Sequence, residues 1–154
     1  MNFLIYFCAV ILPWLIVLGL IAYFFISKKK VANLRLLGLS FFSAILAWFL
    51  ASLFKYNFPS PRPFEVYDSL RPLFTTGVGD AFPSGHATFM GALAFGIFLQ
   101  KRKLGLIFIL GAIIVSLARV LANVHWPTDV IVGLLFGALV AVIVGLIYRR
   151  ILLE

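Results

Sequence analysis

The chain has 154 residues, 64% of them hydrophobic, with a mean hydropathy of +1.14. That apolar share is well above the roughly 45–50% of soluble domains, which excludes an ordinary water-soluble fold and points to a chain that crosses a bilayer repeatedly. A net charge of +8 would suit nucleic acid, but the Lys and Arg gather at the ends of apolar runs rather than along an aromatic-basic stripe, which argues against that partner.

In chain order, the first apolar run is Phe3 to Ile26. It lacks a basic start and a small-residue cleavage site and is too long for a signal peptide, so it is expected to stay as a membrane helix, bent near Pro13. Cys8, the only cysteine, lies inside this run and has no partner for an internal disulfide. Lys28, Lys29 and Lys30 close the run, and Leu34 to Phe54 forms a second one, long enough to cross roughly 30 Å of hydrocarbon. From Lys55 to about Phe82 the composition turns to Pro, Gly and charge. This predicts a folded cap loop at about 55–83 on the membrane surface, with a short interfacial helix around Phe64 to Leu70. A third run, Ser84 to Leu99, is short for a span and is followed by Lys101, Arg102 and Lys103. Leu104 to Ala122 and Val130 to Tyr148 are the fourth and fifth, the last closed by Arg149 and Arg150. The expected fold is an all-α, polytopic membrane helix bundle of about five transmembrane helices, in one domain over 1–154. Along the fifth run Gly133, Gly137, Ala141 and Gly145 repeat every four residues, a stripe that lets a neighbouring helix of the bundle approach closely. Nothing in the sequence favours an oligomer, and a monomer is the simpler expectation.

Three polar knots interrupt this apolar chain, each at the end of a run: Lys55 to Pro63, Pro83 to His86, and Arg119 to Asp129. Ionisable groups are costly beside hydrocarbon, so they need a function to keep them there. The knots read Lys55, six residues, Arg62-Pro63; then Pro83-Ser84-Gly85-His86; then Arg119, five residues, His125, three residues, Asp129. This resembles the three-part signature of the type 2 phosphatidic acid phosphatases (PAP2), membrane relatives of acid phosphatases and vanadium haloperoxidases. With its hydrophobic runs the resemblance covers most of the chain. One position departs: Ala118 stands where the family usually has Ser. Many family members have six membrane helices, so a sixth stays open.

The resemblance implies phosphoryl transfer from a lipid, and the residue types suit it. Lys55, Arg62 and Arg119 form a cage for phosphate oxygens, Arg gripping two at once and Lys acting as a point charge. Ser84 and the Gly85 N–H stand where a helix begins, an anion-binding position. His125 is the candidate nucleophile, forming a phosphohistidine. Asp129 would hold its other ring nitrogen, on one helix face or, because Pro127 disfavours helix at Trp126, across a helix start. His86 would protonate the leaving oxygen and then activate water. Two His and an Asp could bind zinc, but three converging basic residues repel a dication, so no metal and no cofactor is expected. Arg71, Glu65, Asp68 and Asp80 read as solvated loop charge, and Trp14 and Trp48 as interfacial anchors with Trp126 packing beside the site.

Because each span reverses direction, Lys28 to Lys30, Arg35, Lys101 to Lys103, Arg149 and Arg150 fall on one side. Basic short loops mark the cytoplasmic face, so the site is expected outside a bacterial cytoplasmic membrane, the N-terminus outside and the C-terminus inside. The implied partner is a phosphorylated membrane lipid of the undecaprenyl diphosphate, lipid A 1-phosphate or phosphatidylglycerophosphate class. The rivals are a transporter or proton relay, which would need polar groups at mid-membrane depth, and an inactive phosphate-binding scaffold.

Overall fold

A computed structural model of the chain describes residues 2–27, 30–74 and 76–153. Lys28 and Lys29 of the first basic cluster lie outside the described residues. Helix α1 covers Asn2–Ile26, α2 Lys30–Asn57, α3 Pro63–Val66, α4 Gly85–Gln100, α5 Arg102–Leu121 and α6 Pro127–Leu153. The only extended pairing among the described residues is a single bridge between Ser60 and Asp80. Four of the helices, α1, α2, α5 and α6, are long and apolar enough to cross a membrane.

Helix α4 is the axis of the bundle, packed against α2, α5 and α6. At 16 residues it is about 24 Å long, shorter than a lipid-facing span requires. It can be short because its neighbours surround it: Ala87, Thr88, Met90, Gly91, Ala92, Leu93, Ala94, Gly96 and Ile97 are all buried. Leu36, Ala44 and Ala47 of α2, Leu93 and Ile97 of α4, and Val140 and Val144 of α6 share one apolar cluster with Leu20 of α1. The outward faces stay apolar too. Leu106, Leu110 and Leu117 on α5 and Leu135, Leu139 and Leu146 on α6 are exposed, as expected where lipid rather than water is the solvent.

The small-residue stripe of α6 faces α4. A Cβ built on Gly137 would lie 2.2 Å from the Thr88 carbonyl oxygen, and one on Gly133 would lie 2.9 Å from that of Ser84. In return, a Cβ on Gly91 of α4 would meet the Leu134 carbonyl at 2.7 Å. The two backbones are in contact at the end where both helices start, and Ser84 N–H donates to the Asp129 carbonyl there at 3.0 Å.

Several boundaries differ from the sequence expectation. Lys55 lies in the last turn of α2 rather than opening the loop, because nothing in Lys55-Tyr56-Asn57 breaks a helix before Pro59. The cap helix is one turn, Pro63–Val66, and not Phe64 to Leu70. Arg102 and Lys103 belong to the first turn of α5. Helix α6 starts at Pro127, where the missing N–H costs nothing, so Asp129 sits in its first turn. In α1 the expected irregularity at Pro13 takes the form of a π-helical segment, Phe7–Ile11, in which the Leu12 N–H reaches back to the Phe7 carbonyl. A proline cannot satisfy the carbonyl four residues earlier, and a wider turn just before it absorbs the mismatch.

Candidate active site

At one end of the bundle a cavity of about 390 Å³ opens among α1, α2, α4, α5 and the loops. Its walls carry Lys55 from the end of α2, Arg62 from the cap, Gly85 and His86 from the start of α4, Arg119 from the last turn of α5, and His125. Six of the eight sequence-selected residues therefore share one cavity. The other two lie behind its wall: Ser84 is fully buried as the N-cap of α4, and Asp129 is 2% exposed beneath His125. A larger cavity of about 900 Å³ lies at the opposite end of α2, α4 and α6, but no His, Cys, Asp or Glu lines it.

His125 sits in the short connection from α5 to α6, and backbone geometry places it there. Asn123 takes a left-handed conformation with φ of 59°, which Asn tolerates better than most residues. The chain then turns through Val124 and His125 into α6. His125 is 2% exposed, and its Nδ1 lies 3.4 Å from Asp129 Oδ2. The same oxygen accepts from the Trp126 backbone N–H at 2.8 Å. Asp129 thus caps the start of α6 and faces the imidazole with one atom, and the pair is joined across a helix start. Burial pushes the His125 pKa down from 6.5 to about 4; the Asp129 hydrogen bond opposes this, and the charges of Arg119, Arg62 and Lys55 add to it. The ring is neutral at pH 7.

The cap is tied to this connection at four points. Arg62 Nη1 donates to the Val124 carbonyl at 2.7 Å, Trp126 Nε1 to Pro61 at 3.0 Å, Asn123 Nδ2 to Arg71 at 3.2 Å, and Leu73 N–H to Ala122 at 3.1 Å. Trp126 therefore packs beside the site, as its position suggested.

The three cations differ in how they are held. Arg62 is 4% exposed and gives Nε and Nη2 to Asp80 Oδ1, at 3.0 and 2.7 Å. Lys55 Nζ donates to the Asp80 carbonyl at 2.8 Å. Arg119 is 5% exposed, lies 5.1 Å from the Phe74 ring centre, and leaves its buried Nε without a hydrogen-bond partner. The buried Ser84 Oγ is likewise unpartnered. Unsatisfied buried donors at the edge of a cation-lined cavity suit an anion.

Asp80 is the residue that sequence reading missed, since as a loop carboxylate it looked solvated. Its position three residues before Pro83, at the entrance to the Pro83 to His86 knot, was the available signal. Trp14 and Trp48, expected as interfacial anchors, are 66% and 50% exposed and also line the cavity. Together with Pro13, Val17, Ile45, Phe89 and Met90 they form an adjoining apolar groove of about 380 Å³ that shares Gly85 and His86 with the polar cavity.

Known proteins resemble this chain in sequence and in fold. Residues 36–152 match the family model of the PAP2 superfamily. The chain is 33% identical to a lipid A 1-phosphatase of Rhizobium johnstonii over 71% of its length, and 34% identical to an undecaprenyl-diphosphatase of Sulfolobus acidocaldarius over 62%. It spans about half the length of these relatives, 47% of each. Among solved structures, LpxE of Aquifex aeolicus superposes with a TM-score of 0.68 at 27% identity, over 92% of this chain and 80% of that one. The matched region contains all three polar knots, the whole of α3, α4 and α5 and most of α2 and α6, and the chain belongs to the PAP2 superfamily.

Proposed function

We propose that the protein is a metal-independent lipid phosphatase. The observation that carries the reading is the convergence of Lys55, Arg62, Arg119, His86 and His125 on one cavity that continues into an apolar groove. A phosphorylated lipid has the same two parts, an anion and a hydrocarbon chain.

The neutral His125 is the nucleophile. Asp129 holds Nδ1, so the lone pair is on Nε2, which attacks phosphorus as the ester P–O bond breaks. His86 gives a proton to the leaving oxygen. It then takes one from water, whose oxygen displaces Nε2 and releases inorganic phosphate. Lys55, Arg62 and Arg119 stabilise the charge on the equatorial oxygens throughout, and the start of α4 adds the Gly85 N–H. A divalent metal has no place here, since three cations already surround the cavity.

Basic residues gather at the far end of the bundle, which supports a reading with that end in the cytoplasm, the site on the outer face of a bacterial cytoplasmic membrane and the N-terminus outside. The named activities of the relatives suggest lipid A 1-phosphate or undecaprenyl diphosphate as substrate, and phosphatidylglycerophosphate belongs to the same chemical class. A transporter is the weaker reading: the described charged side chains gather at the two ends of the bundle, and none lines a path between them.

The test is phosphate release in detergent, with chelator present, from a panel of these three lipids. The parent is expected to release phosphate, and His125→Ala to lose at least about 10³-fold. An active His125→Ala, or a chelator effect reversed by zinc, would overturn the mechanism.

A further inference from the structure

A carboxylate on the wall of a phosphate cavity repels the substrate, so Asp80 needs a compensating role. Its side chain is 43% exposed and lines the cavity, yet Oδ1 takes two N–H groups of Arg62 and its carbonyl takes Lys55 Nζ. One residue therefore contacts two of the three cations. It is itself fixed: the Ser60 N–H and carbonyl pair with Gly79 and Ala81 on either side of it, Ser60 Oγ accepts from Phe82 N–H, and the Glu65 carboxylate accepts from Gly79 N–H. Gly77 leaves room for it, since a Cβ there would sit 3.3 Å from both Asp80 oxygens.

The donor count on Arg62 gives this a consequence. A guanidinium has five N–H groups. Asp80 takes one on Nε and one on Nη2, and the Val124 carbonyl takes one on Nη1. Two remain, one on each terminal nitrogen, the pair an arginine uses to grip two phosphate oxygens. Without Asp80 the Nε edge is released, and the side chain can rotate and present a different edge.

We infer that Asp80 is a positioning residue of the phosphate cage, holding Arg62 by its side edge and Lys55 through its carbonyl so that the free fork of Arg62 meets the phosphoryl group. This rests on the phosphatase reading and extends it to a residue outside the three motifs. Asp80 touches the cations and not the reacting atoms.

The experiment measures orthovanadate affinity by calorimetry, together with kcat, KM and melting temperature, for the parent, Asp80→Ala, Asp80→Asn and Glu65→Gln. Asp80→Ala is expected to lose about tenfold to a hundredfold in kcat/KM, with vanadate affinity falling in parallel, because both depend on the same donor geometry. Asp80→Asn keeps the acceptor oxygen and the shape but not the charge, so it should recover part of both losses, and it serves if the alanine variant fails to fold. Glu65→Gln weakens the cap through the bonds its carboxylate accepts from the Arg62 and Gly79 backbone N–H groups, without touching a cationic side chain. It should lower the melting temperature and leave vanadate affinity within about twofold of the parent.

If vanadate affinity is unchanged in both Asp80 variants, or if Glu65→Gln weakens it equally, Asp80 only stabilises the cap and the inference falls. Calorimetry needs no turnover. A parent that binds vanadate but releases no phosphate would sink the phosphatase reading while the Asp80 comparison still stands; a parent that binds none sinks both.

Discussion

At the scale of single residues, the proposed chemistry rests on a histidine that is both buried and uncharged. The His125 pKa is lowered to about 4 in the folded chain, against about 6.5 when exposed, chiefly by burial. Protons then bind the unfolded state more readily, so the folded state keeps this contribution above pH 6.5 and loses it as pH falls from 6.5 toward 4. The full effect is about 3 kcal/mol, a difference of two and a half in pKa converted at 1.36 kcal/mol each. The melting temperature in detergent should hold from pH 8 to 6.5 and decline below. His125→Asn, which cannot titrate, should flatten that decline; an unchanged slope would show that His125 is not the group being protonated. Asp129→Asn tests the partner. It keeps the volume but turns an acceptor toward a donor, so the imidazole loses its reason to hold the proton on Nδ1. We expect kcat to fall by about 10²- to 10⁴-fold, with a smaller change in KM. His125 and Asp129 were singled out in the sequence through the third polar knot and its resemblance to the family signature. The link between them was not legible there, because whether Pro127 ended one helix or began another decides how they meet, and only the backbone shows that it begins α6.

At the scale of elements, the site is held together by the contact between α4 and α6 and by the cap. Gly137 stands so close to the Thr88 carbonyl that even a methyl group collides with backbone, which cannot move aside as a side chain can. Gly137→Ala should therefore lower the melting temperature, and Gly137→Leu should also abolish activity by separating the helix that starts at Gly85 from the one carrying Asp129. Gly38, in α2, has nothing within 4 Å of a built Cβ, so Gly38→Ala should leave activity unchanged and alter stability little. Equal damage at both positions would mean that helix propensity rather than close packing decides the outcome. The stripe was readable as a four-residue period, and its partner within the bundle was the expectation that the structure bears out. The cap was less readable. It has one helical turn and one isolated bridge, and its order comes from side chain to backbone bonds such as Glu65 to Gly79 and Arg62 to Val124. Contacts between residues so far apart in sequence leave no periodic trace, which is why Asp80 read as loop charge.

At the scale of the whole molecule, the two ends of the bundle differ in charge. Near the start of α2, the α4–α5 turn and the end of α6 lie Lys30, Arg35, Lys101, Arg102, Lys103, Arg149 and Arg150, and no Asp or Glu is described there. The other end holds Glu65, Asp68, Asp80 and Asp129 with Lys55, Arg62, Arg71 and Arg119. The first end is the one that basic short loops would keep in the cytoplasm; the proposed active site would then lie at the outer face, where a lipid headgroup would have to be presented. Labelling in intact cells decides this. In a Cys8→Ser background, a cysteine at Val78, which is 72% exposed in the cap, should react with a membrane-impermeant maleimide. A cysteine at Lys103, exposed in the first turn of α5, should react only after the membrane is opened. The reverse pattern would turn the protein over. The cavity and its chemistry would survive that result, but the substrate would then have to be a lipid whose phosphate faces the cytoplasm, and the choice among lipid classes would have to be made again from that side.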